Sequence, residues 1–148
     1  MKLQLKNNEL SPITEFLNGL TLRGAKTNIA RIRITNLILA KSKEVVEDRI
    51  EAIKQFSNLD EHGMPAIKKD AKGNPTNNYD IPDNKLTFAN KAVTDLNNET
   101  SVIDLTEHEA HIKTLGVALN SYDNELNGQQ AACLVTLLDA IDKAKEGK

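Results

Sequence analysis

The chain has 148 residues, of which 39% are hydrophobic and 27% charged. That is enough apolar material for a modest core, and it excludes compositional disorder. Nineteen basic and 21 acidic side chains leave a formal net charge of −2, so there is no global attraction to nucleic acid or to an anionic membrane. No apolar run approaches the roughly 20 residues that span a bilayer. Gln4, Lys6, Asn7 and Asn8 interrupt the stretch a signal peptide would need, so a cytoplasmic protein is expected. The single Cys133 excludes an internal disulfide and a cysteine-rich zinc site.

Taken in chain order, Leu3 and Leu5 alternate with polar residues, which predicts a short strand with one apolar face. Ser11-Pro12 has the form of a helix start, with Ser as cap and Pro at the first helical position. Ile13, Phe16, Leu17 and Leu20 give that helix its buried stripe. From Ala25 to Ser57 there is neither Gly nor Pro, and apolar residues recur throughout. One helix of roughly 30 residues, about 45 Å long at 1.5 Å per residue, is expected there. Within it Ile32, Leu39, Val46 and Ile53 fall seven apart, while the companion positions Ile29, Asn36, Lys43 and Ile50 include two polar residues. Those breaks argue against a long self-sufficient coiled coil, and favour packing of this row against the short preceding helix.

Residues 58–85 are turn-rich, and Asp60–Pro65 and Asp70–Pro75 both fit Asp-x-x-Gly-x-Pro. A projecting arm or hairpin is expected, with strands at 66–69 and 79–81, between a long-helix half and a C-terminal helical half. Leu86, Ala89, Ala92, Val93 and Leu96 restart a helix, and Thr100–Leu105 form a strand suited to pairing with Leu3–Leu5. Thr106 and Glu109 have capping-box spacing before a helix with the stripe Ile112, Leu115, Leu119 and Tyr122. After Asn127-Gly128 a last helix over 129–145 would turn Ala131, Leu134, Val135, Leu138 and Ile141 inward. The fold class is thus mainly α (α+β): about five helices including one long one, a small two-stranded sheet and a turn-rich arm, within a single domain over 1–148.

No catalytic constellation stands out, and no cofactor is implied. Glu107, His108 and His111 are the one cluster of metal-ligand types, but the histidines are three apart and a further ligand would be needed. A solvated first helical turn is the favoured reading of them. Arg23, Lys26, Arg31, Arg33, Lys41 and Lys43 form a stretch without any acid, the type of segment that meets phosphates. At 100° per residue they scatter around the helix, and no aromatic residue lies among them to stack on a base. Cys133, between Ala132 and Leu134, has the surroundings of a core residue. Charge is unequal along the chain: residues 1–56 carry ten Lys/Arg against six Asp/Glu, and residues 86–148 carry five against ten. Opposite charges of this kind can pair within one fold or between copies.

The opening Met-Lys-Leu-Gln-Leu-Lys-Asn-Asn-Glu-Leu, the Gly/Asn-rich hinge, the closing helix and sixteen Asn together resemble a family of small uncharacterised phage and prophage proteins of low-GC Gram-positive bacteria. The resemblance covers most of the chain and rests on layout. It implies a small phage protein, with no activity attached to particular residues. The function expected is therefore that of a non-catalytic interaction or assembly protein, with a protein partner or a second copy as its contact. Nucleic-acid binding through the basic 23–43 stretch is the alternative.

Overall fold

The computed structural model describes residues 1–147. It is mainly α, with five α-helices and two small antiparallel sheets among those residues. The elements are β1 (Lys2–Lys6), α1 (Asn7–Gly19), α2 (Ala25–Lys54), β2 (Ile67–Lys69), β3 (Pro75–Tyr79), α3 (Asp83–Asn98), β4 (Thr100–Asp104), α4 (Glu109–Asn120) and α5 (Gly128–Glu146). They divide into two compact units, Met1–Ser42 with the chain from Thr100 on, and Lys43–Glu99. The unbroken helix α2 contributes to both.

In the first unit β1 pairs with β4, which closes the chain's beginning onto its second half as the alternation of Leu3 and Leu5 suggested. Leu3 stands opposite Ile103 and Leu5 opposite Ser101, all buried, whereas Val102 faces outward with Gln4. The buried Ser101 hydroxyl donates to Asn7 Oδ1 at 2.6 Å, so the one polar position of the inner face is satisfied. The core against this sheet is built by α1, α4 and α5: Leu10, Ile13 and Leu17, then Ile112, Leu115 and Leu119, then Leu137 and Ile141.

Two helix starts, those of α1 and α4, differ from the caps that the sequence reading gave them. Helix α1 begins at Asn7 rather than at Ser11-Pro12, because Glu9 Oε2 already accepts the Lys6 N–H at 2.8 Å and fixes the turn directly after β1. Pro12 is consequently inside the helix. The Thr106–Glu109 capping box does not form. Thr106 donates its hydroxyl and its N–H to Asp104 Oδ1 at 2.6 and 2.9 Å, Thr106–His108 make a 3₁₀ turn, and α4 starts at Glu109. Asn127 and Gln130 supply a reciprocal cap at the head of α5 instead, through bonds of 2.9 and 3.0 Å.

The buried stripe of α5 is also rotated from expectation. Cys133, Leu137, Ala140, Ile141 and Ala144 are buried, while Val135 is exposed and Leu134 and Leu138 are half-buried. Gly116 of α4 faces Ile141 of this stripe, whose Cγ2 lies 3.4 Å from where a Cβ would stand.

In the second unit the Asp-x-x-Gly-x-Pro repeats form two equivalent turns. Asp60 Oδ1 accepts from the N–H groups of His62 and Met64, as Asp70 Oδ1 does from those of Lys72 and Asn74. Gly63 and Gly73 adopt φ of +72° and +81°, closing type I turns with a left-handed residue. The result is a double hairpin. Ala66 donates to Asn58 and accepts from Asp80, both at 2.8 Å, so the middle segment is held on both sides. Its last strand is Pro75–Tyr79, not 79–81, because the second turn releases the chain directly at Pro75.

Candidate interaction surface

Helix α2 has two apolar faces. Ala30, Ile34, Thr35, Ile38 and Val45 are buried, and at 100° per residue they lie on one side. The adjoining side carries Ile29, Ile32, Leu39 and Val46, which remain 49%, 50%, 37% and 45% exposed. These include three of the four residues placed seven apart in the sequence. The expectation that this row packs against α1 is overturned for Ile32, Leu39 and Val46, and holds as burial only for Ile53. Asn36 and Lys43 are exposed in the same row. A side chain already turned outward does not have to bury its polar end, which explains why the row tolerates them.

The six basic residues do different things. Arg31 Nη1 donates to Leu17 O at 2.9 Å, and its Nε and Nη2 face Asn28 Oδ1, so this guanidinium ties α2 to the end of α1. Arg33 Nη1 lies 3.4 Å from His111 Nε2. Arg23 and Lys26 border a hollow of about 760 Å³ with Thr27, Thr114, Ser121 and Tyr122. Lys43 is exposed and Lys41 half-buried on α2. The structure therefore does not bring the six onto one face.

His108 and His111 are neighbours, with ring centroids 5.6 Å apart. A guanidinium only donates, so His111 accepts from Arg33 through Nε2 and carries its proton on Nδ1. Burial, then the nearby Arg33 and His108, hold the His111 pKa below its ordinary 6.5. An arginine on the outer ring nitrogen is the opposite of what a cation site needs. Glu107 is exposed, and among the described residues no three ligand-type side chains are arranged to hold a metal ion. Cys133 is buried, and burial pushes its thiol pKa up, which disfavours a reactive thiolate. Among the described residues, no helix is long and apolar enough to cross a membrane.

Sequence reasoning located the seven-residue row but assigned it to the wrong neighbour. The signal for the second face was present. Buried and exposed apolar residues together nearly encircle the first half of α2, as expected of a helix covered on two sides. No family model matches the chain, and no curated protein or solved structure matches it either.

Proposed function

We propose that this protein is a non-catalytic, phage-encoded interaction or assembly protein whose contact surface is the outward face of α2. The observation that carries the reading is the row Ile29, Ile32, Leu39 and Val46, apolar and about half exposed along one side of a single helix. Scattered exposed apolar residues are ordinary, but several along one side of one helix, with Asn36 and Lys43 between them, are the pattern of a surface that meets protein. The phage origin is supported by the resemblance in layout and by the asparagine-rich composition.

A photoreactive residue placed at position 39 tests this in cells expressing the chain. Crosslinking to a protein from position 39, and not from the exposed Lys26, is the expected result. No crosslink from position 39 above that of Lys26 would overturn the reading.

The second reading is nucleic-acid binding, favoured by Arg23 and Lys26 beside their hollow. It requires a salt-dependent shift of an oligonucleotide in a gel, abolished when both become Glu. No shift at low salt would remove it.

A further inference from the structure

We infer that the hollow between the start of α2 and the end of α4 is a binding site for a nucleoside phosphate. The inference goes beyond the interaction reading, since it uses none of the outward row of α2.

The hollow holds about 760 Å³, lies within the first unit, and has the size of small-molecule sites. Its two walls differ in chemistry. Arg23 and Lys26 stand on the α2 side. Of the chain's four arginines, Arg31, Arg33 and Arg49 each face an acceptor of the protein. Arg23 has no hydrogen bond or ion pair among the described residues, and neither has Lys26. The backbone on both sides of Arg23 is nonetheless fixed, because Asn28 Nδ2 donates to Leu22 O at 2.8 Å and to Gly24 O at 3.0 Å. Two unpaired cations held beside a hollow suit a phosphate, which takes charge-assisted hydrogen bonds from both at little cost in ordering.

The facing wall comes from α4 and the residues after it. Thr114, Val117 and Ala118 share one face of α4, and Tyr122 follows. Val117 is 71% exposed, the most of any large apolar side chain among the described residues. With the half-buried Tyr122 ring it offers an apolar surface suited to the flat face of a base. Thr114 is half-buried, and its hydroxyl has no partner among the described residues, whereas Thr14 and Thr35 return theirs to the carbonyl four residues back. Thr114 and the Asp123 carboxylate can therefore pair with a base edge or with ribose hydroxyls. Asp123 makes no ion pair with Arg23 or Lys26, so it does not neutralise them. A lipid phosphate has the same charge, but its tail would cover these polar groups without pairing them.

The nucleic-acid reading above uses the same two cations. A strand needs a track of charge, and Arg31, Arg33, Lys41 and Lys43 do not line this hollow. The arrangement serves one phosphate group and one base.

Calorimetric titration of the purified chain with the four common ribonucleoside monophosphates and their triphosphates tests this. At least one should bind once per chain, with a Kd of about 100 µM or below. Inorganic phosphate alone, and the matching nucleoside alone, should each bind at least about tenfold more weakly. Arg23→Ala/Lys26→Ala should weaken binding by about tenfold or more with circular dichroism unchanged, because both side chains are exposed. Tyr122→Leu should cost about tenfold through lost stacking. Lys68→Ala, in the second unit, should change nothing.

Absence of binding by all eight nucleotides overturns the inference, and so does binding that survives Arg23→Ala/Lys26→Ala. Inorganic phosphate that binds as tightly as the best nucleotide overturns it too. A single-stranded oligonucleotide that binds more tightly than any mononucleotide would reject the small ligand in favour of the nucleic-acid reading. None of these outcomes touches the crosslink from position 39, which tests the interaction reading separately.

Discussion

Ile38 and Leu39 are adjacent residues of one helix with side chains of equal size, yet Ile38 is completely buried and Leu39 is more than one-third exposed. The same contrast runs along the first half of α2, where Ala30 and Ile34 are sealed in while Ile29 and Ile32 remain half in water. The inner face is filled by the chain's own core. The outer face also carries apolar side chains, with Asn36 and Lys43 among them, and Ile29, Ile32, Leu39 and Val46 there stay 37–50% exposed. The difference teaches that the apolar content of α2 exceeds what folding uses, and that the surplus is gathered on one side.

The largest effect that sharpens this contrast comes from truncating its two members. Ile38→Ala should destabilise the fold by about 2–5 kcal/mol, since it leaves a cavity in a close-packed interior. Leu39→Ala should stay within about 0.5 kcal/mol in the monomer, because little packing is lost from an exposed site. Urea denaturation at low protein concentration measures both, and equal losses would break the comparison.

A smaller effect is expected where α4 meets α5 at Gly116. Gly116→Val adds side-chain atoms against Ile141 and should cost about 1–3 kcal/mol by overpacking α4 on α5. Thermal unfolding checks it.

The double hairpin offers an internal control outside the helix faces. Gly63→Ala and Gly73→Ala meet no neighbouring atoms, so each should cost only the left-handed backbone strain of about 1 kcal/mol. Near-equal losses are expected because the two turns share one hydrogen-bond pattern. Unequal losses would show that the repeats differ in their surroundings.

The smallest effect is a pH dependence. The His111 pKa is held below 6.5 in the fold by burial, Arg33 and His108, so the unfolded chain binds the proton more readily. The associated stability is present above pH 6.5 and is lost as pH falls below it. His111→Gln should flatten that part of the pH–stability curve, and an unchanged curve would remove His111 as its source.

Much of this architecture was legible in the sequence for local reasons. The absence of Gly and Pro from Ala25 to Ser57 specified a long helix, and α2 fills Ala25–Lys54 of it. Alternation at Leu3 and Leu5, with Thr100–Leu105 as a matching strand, specified the terminal pairing seen in β1 and β4. The Asp-x-x-Gly-x-Pro repeats specified both turns. What failed depended on tertiary choice. Ser11-Pro12 has good capping chemistry, but Glu9 starts the helix one turn earlier. Thr106 had two carboxylates within reach, and Asp104 prevailed. The α5 face was misassigned because Leu134, Val135 and Leu138 are the larger apolar residues, whereas the buried face holds Cys133, Leu137, Ala140, Ile141 and Ala144. The outer row of α2 was found by its period, but period shows only that a face exists and not what covers it.

The account's central claim is that a protein partner meets this face. Labelling of Leu39→Cys by a maleimide tests it directly, against a quiet background because the native Cys133 is buried with a raised pKa. Labelling of position 39 that is fast in the purified chain, and slower in extracts of cells that express it, is the predicted result. An equal labelling rate in the two would contradict it.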